Sequence, residues 1–161
     1  MSSRETFERR LFWIVSRTCF MLYRTFPLFG PLRASLAIIR RNHEFLVIER
    51  NDGRGVSLPG GIARWKEADE GTLRREVLEE TGLEIAGEKL ITRYPSRADL
   101  PCTISVFEVQ TNGELKSSWE GSPRWLSIAE IAPRILKSQQ PVVELLRQMS
   151  AAKLEDSPAN R

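Results

Sequence analysis

The sequence predicts an α/β protein, an α/β/α sandwich around a mixed central sheet. Three observations lead there: short strand-like runs lie on both sides of a long acidic helical segment, and a second amphipathic helix lies near the end of the chain. The 161 residues, 41% hydrophobic and 28% charged, also suffice for one core.

In chain order, residues 33–40 and 44–50 read as strands about an Arg41-Asn42-His43 turn, followed by the glycine-rich loop Asn51-Asp52-Gly53-Arg54-Gly55. Residues 56–58 form a short strand that feeds the loop Leu58-Pro59-Gly60-Gly61. A helix spans residues 68–81 and stops at Gly82. Strands follow over 84–93, 102–110 and 124–127, and a helix over 141–151 places Val142, Leu145, Leu146 and Met149 at core-facing spacing. This divides the chain into an N-terminal amphipathic basic helical segment (1–30), one domain (31–152) and a polar tail (153–161).

The first 30 residues are distinctive. Apolar side chains crowd residues 8–29, while Arg10, Arg17 and Arg24 recur every seven positions. Arg17 and Arg24 interrupt any span of the roughly 20 apolar residues that crossing a bilayer needs. An amphipathic helix with a cationic stripe remains. It suits packing on its own domain or on a homodimer mate, a membrane surface, or an acidic partner. Because so much positive charge gathers here, the net charge of +3 gives little reason to expect a nucleic-acid partner. Two cysteines, Cys19 and Cys102, supply neither a disulfide framework nor metal-ligand spacing, and no convincing signal peptide is seen; a cytoplasmic setting is expected. The single His43, isolated in its turn, suggests no zinc or triad site.

The chemistry concentrates between Gly61 and Leu83, which read Gly-x5-Glu-x7-Arg-Glu-Val-x-Glu-Glu-x-Gly-Leu. On a helix, Glu76, Glu79 and Glu80 fall within about 100° of arc and share a face. Their mutual repulsion, and their position near the negative end of the helix dipole, call for a compensating cation. Arg75 alone cannot neutralise three carboxylates. Hard oxygen donors select Mg²⁺ or Mn²⁺, and the two glycines before the helix let backbone approach ions or phosphates closely.

With Gly61, Glu67, Arg75, Glu76, Glu79, Glu80 and Gly82 all at their fixed places, this segment resembles the complete signature box of the Nudix hydrolases. The resemblance implies the Nudix fold and a pyrophosphohydrolase acting on a nucleoside diphosphate linked to another moiety, such as a nucleotide sugar, a dinucleotide or a nucleoside triphosphate. It also implies a divalent-metal site of Glu76, Glu79, Glu80 and the Gly61 carbonyl. Glu67 then ligates or supports the helix, and Arg75 orients the glutamates. The catalytic candidates are Glu79, Glu76, Glu120 and Arg75, with Glu120 chosen because family members also use a loop glutamate outside the box. For substrate binding the candidates are Arg33 and Arg54 on phosphate and Trp65 on a base or ribose; Phe107 and Trp119 are further aromatics of that kind. Arg64 and Lys66 depart from the usual wording of the box, which has glutamate and glycine there, and both add positive charge. Two other functions stay open: hydrolysis at an RNA 5′ end, and a non-catalytic nucleotide-sensing module.

Overall fold

A computed structural model describes residues 31–119 and 121–155, with side chains placed through residue 151. The strands are β1 (Leu32–Ile38), β2 (Arg40–Arg41), β3 (Glu44–Arg50), β4 (Val56–Ser57), β5 (Gly60–Ile62), β6 (Glu84–Ser96), β7 (Cys102–Asn112) and β8 (Gly121–Ser127). The helices are α1 (Asp69–Thr81), α2 (Ile128–Ile131) and α3 (Val142–Glu155), with a 3₁₀ turn at Lys137–Gln139. The N-terminal segment 1–30, with Cys19 and its arginine stripe, and residues 156–161 lie outside the described residues.

The expected mixed sheet is present in the order β5-β1-β7-β6: β1 runs parallel to β7 and antiparallel to β5, and β6 is antiparallel to β7. Beside it stands a second, antiparallel sheet built on β3, which pairs along its length with β8 and carries β2 and β4. Alternation along β1 explains why helices cover both faces. Leu36 and Ile38 enter a core with Phe45, Val47, Val106 and, from the C-terminal helices, Ile131, Val142 and Leu146. Ala37 and Ile39 point the other way, to Phe107, Val109 and the α1 residues Leu73 and Val77. Leu73 and Val77 are four residues apart, hence on one helix face; burying each contributes roughly 1.5–3 kcal/mol. Phe107 is thus a core residue, 1% exposed, and not a base-stacking aromatic.

Several boundaries differ from the sequence reading, each for a local reason. Residues 33–40 form two strands: β1 ends at Ile38, β2 starts at Arg40, and the turn is carried by Asn42, one of the few residue types that tolerates its φ of 56°. Gly60-Gly61, read as part of a loop, is strand β5, with Leu36 opposite Gly60 and Ser35 opposite Gly61. A Cβ on Gly60 would lie 2.1 Å from the Ser35 carbonyl oxygen, so glycine is what permits this pairing. Strand β8 starts three residues earlier than residue 124 and includes Pro123, which an edge strand accommodates because it needs no ladder donor there. Helix α2 was not anticipated; Glu130 accepts hydrogen bonds from the Ser127 N–H (2.9 Å) and hydroxyl (2.6 Å) at its start.

Candidate active site

Strand β5 and helix α1 bring the two ends of the Gly61–Leu83 segment together. Helix α1 ends at Gly82, whose φ of 73° is left-handed and whose N–H donates to the Leu78 carbonyl. The segment before α1 is fastened by Glu67. Its Oε2 accepts from the Arg64 N–H (2.8 Å), the Thr72 hydroxyl (3.0 Å) and Arg75 Nη2 (2.9 Å), while its Oε1 accepts from Arg75 Nε (2.9 Å). The pairing with Arg75 is bidentate, the geometry in which a guanidinium binds carboxylate most strongly. Hydrogen bonding from Arg75 is the main reason the Glu67 carboxyl sits at about 2 instead of 4.5, with the Arg64 N–H next. The same bond raises Arg75 above its ordinary range.

Arg75 then turns its remaining donors to the rest of the segment. Nη1 donates to Glu76 Oε1 at 2.6 Å and to Glu79 Oε2 at 3.3 Å, and Nη2 also reaches the Ile62 carbonyl at 3.3 Å. Two carboxylates therefore face one cationic point. Gly61 lies directly against Glu76: a Cβ there would fall 2.5 Å from Glu76 Oε1, so a side chain at this position would push the carboxylate aside. Glu79, half exposed, accepts from Arg64 Nη2 at 3.3 Å as well. Glu80 turns inward: it is buried, and its Oε2 accepts the Gly60 N–H at 2.8 Å, tying α1 to β5.

The structure thus joins Gly61, Glu67, Arg75, Glu76 and Glu79 around one face, with Glu80 bracing the glycine pair from beneath. Among the described residues, no three acidic, histidine or cysteine side chains gather closely enough to enclose an ion. Mg²⁺ typically takes only one or two carboxylates and fills its remaining positions with water and phosphate, so the Glu76–Glu79 pair fits the donor set such an ion needs.

The other predicted residues fall in separate places. Arg33 on β1 pairs with Asp69 Oδ1 at 3.2 Å and donates to the Glu67 carbonyl. With Arg64, Lys66 and Trp65 it lines a concavity of about 460 Å³ beside the box, where the Trp65 indole is 82% exposed. Arg54 is elsewhere: it pairs with Asp52 at 2.8 Å and borders a hollow with Gly55, Arg134 and Lys137 that includes no box residue. Glu120 lies outside the described residues; on either side of it, the Trp119 carbonyl accepts from Asn51 Nδ2 (2.9 Å) and the Gly121 carbonyl from the Ser118 N–H (3.0 Å). Sequence reasoning missed Asp69. This nearly buried first-turn acid accepts from the Ser105 hydroxyl at 2.7 Å and Arg93 Nη2 at 3.2 Å, and its backbone carbonyl accepts from Ser35 Oγ at 2.8 Å. It moors the start of α1 to β1, β6 and β7, and its only sequence signal was an acid in a helix's first turn.

This architecture defines a class: a mixed sheet flanked by helices, with a glycine pair packed against an acidic helix. Solved structures share the fold. The E. coli ORF135 protein superposes with a TM-score of 0.66 at 22% identity, covering 81% of this chain and 95% of that one. The MutT NUDIX hydrolase from Burkholderia pseudomallei gives 0.63 at 21% identity, covering 71% and 97%. In sequence, a MutT-like protein of Streptomyces ambofaciens is 28% identical over 113 residues, 69% of this chain and 73% of that protein. The NUDIX domain model matches residues 30–146, and the chain belongs to that family, as a Nudix hydrolase. Among the described residues no helix is long and apolar enough to cross a membrane.

Proposed function

We propose that the protein hydrolyses the diphosphate linkage of a nucleoside diphosphate derivative, such as a nucleotide sugar, a dinucleotide or a nucleoside triphosphate, with Mg²⁺ or Mn²⁺. One observation carries this reading: Glu76 and Glu79 converge on the same cationic atom, Arg75 Nη1, beside the glycine pair. Two neighbouring hard carboxylates are what a divalent ion requires; the Gly61 carbonyl is the further proposed donor, and Glu80, turned inward to the Gly60 N–H, supports the site from beneath. Bound there, the ion would polarise the phosphoryl oxygens and lower the pKa of a bound water.

The remaining roles belong to the chain. Arg75 holds Glu76 and Glu79 in orientation while itself locked by Glu67. Glu79 accepts the proton of the attacking water, a role its exposure to solvent supports; Glu120 is the second candidate. Arg33 and Trp65 meet the substrate beyond the scissile linkage, since both border the concavity next to the box.

A screen for phosphate and pyrophosphate release across nucleotide sugars, dinucleotides and nucleoside triphosphates, with Mg²⁺, Mn²⁺ or a chelator, tests the proposal. Release from at least one class that vanishes with chelator is expected. A flat response under both metals overturns it and favours a nucleotide-sensing role.

A further inference from the structure

We propose that Arg64 is a built-in counter-ion for Glu79 which a divalent cation must displace, so that this residue sets how tightly the site takes metal. The inference rests on the metal-dependent reading above.

Charge on the acidic face motivates it. Glu67, Glu76, Glu79 and Glu80 bring four carboxylates, and Arg75 directs most of its donors to Glu67 and Glu76. Its contact with Glu79, at 3.3 Å, is the longest of its carboxylate contacts. Of the three acids that Arg75 contacts, Glu79 is therefore the least served, and Arg64 reaches it from the loop before the helix.

Geometry makes Arg64 displaceable. Its backbone is fixed, because its N–H is held by Glu67 and the neighbouring Ala63 N–H bonds to the Arg33 carbonyl on β1. The side chain is not fixed: it is 68% exposed and meets Glu79 across 3.3 Å, whereas Arg75 is 15% exposed. Exposed ion pairs of this kind are weak, so a doubly charged ion bound between Glu76 and Glu79 outcompetes it. The freed guanidinium has somewhere to go, since Arg64 also lines the concavity with Arg33, Trp65 and Lys66. Metal entry thus moves positive charge from the acidic face toward the space where the substrate's phosphates would lie. Glutamate at this position would repel Glu79 and could not act in this way.

Mn²⁺ calorimetry on the full chain tests the proposal, comparing the wild type with Arg64→Ala and with Lys66→Gln, which removes the same charge from the same loop without touching the Glu79 contact. Arg64→Ala should bind Mn²⁺ about 2- to 5-fold tighter than the wild type, the range an exposed ion pair allows, and Lys66→Gln should shift less. In parallel, the Arg64 Nε resonance should move as Mg²⁺ is added, at the concentration that half-saturates the site. Equal affinities for wild type and Arg64→Ala, an equal gain in Lys66→Gln, or an unmoved resonance overturns the role of Arg64 while leaving the metal site standing. Failure of the wild type to bind Mn²⁺ overturns the metal-dependent reading and this inference with it.

Discussion

The two ends of the Gly61–Leu83 segment are held in opposite ways. At the front, Glu67 accepts four hydrogen bonds from Arg75, Arg64 and Thr72, and Asp69 is moored to three strands. Toward the end of α1, Glu79 is half exposed and meets two arginines, each at 3.3 Å. Similar residue types thus serve different ends. Where several short bonds converge on a nearly buried acid, the acid is framework; where a carboxylate keeps long contacts and solvent access, it can exchange partners.

Changes at the open end should therefore affect activity and spare the fold. Glu79→Gln, isosteric and uncharged, is expected to lower hydrolysis about 100-fold or more while changing stability by less than about 1 kcal/mol. Turnover assays and urea unfolding on one preparation check both halves; a large stability loss would erase the distinction between the ends. In the packed layer beneath, Leu73→Ala should cost about 2–5 kcal/mol in the same unfolding experiment, because Leu73 is fully buried against the sheet. Gly61→Ala should cost little stability, since the added methyl meets only the movable end of the Glu76 side chain, but should depress activity by pushing that carboxylate off its position.

The helix and its acids are legible in the sequence, but the contrast between the two ends is not, for physical reasons. Local patterns fixed α1 to within a residue of its start, because its stop glycine and its i, i+4 apolar pair are read from neighbours in the chain. The arc shared by Glu76, Glu79 and Glu80 also follows from helix geometry, but their different fates do not. Only the approach of β5 reveals that Glu80 turns inward to the Gly60 N–H. Asp69 was invisible because its partners Ser105 and Arg93 lie 36 and 24 residues away. Strand β5 is hidden because paired glycines signal a loop, whereas here they permit close approach to β1. The Ser127-x-x-Glu130 capping pattern, by contrast, is local and lies in the sequence itself. Arg33 and Trp65 came together beside the box, but Arg54 did not, since its own loop acid Asp52 holds it.

The smaller expected effects concern charge. The Glu67 carboxyl lies at about 2, below its ordinary 4.5, so the folded state favours its ionised form. Its stabilising contribution is complete above pH 4.5 and is lost as pH falls toward 2. Acid unfolding of Glu67→Gln should accordingly show a shallower pH dependence between those values than the wild type. A parallel pair of curves would place Glu67 outside the framework. Smallest of all, Arg64→Ala should alter stability by no more than about 0.5 kcal/mol, as expected of an exposed pair at the open end.

The central claim, that Glu76 and Glu79 jointly take a divalent cation, is tested most directly by Mn²⁺ binding followed by electron paramagnetic resonance in the wild type and in a variant carrying both Glu76→Gln and Glu79→Gln. The account predicts saturable loss of the free-ion signal with the wild type and none with the double variant at the same concentrations, while circular dichroism shows both folded. Undiminished binding by the double variant would contradict it.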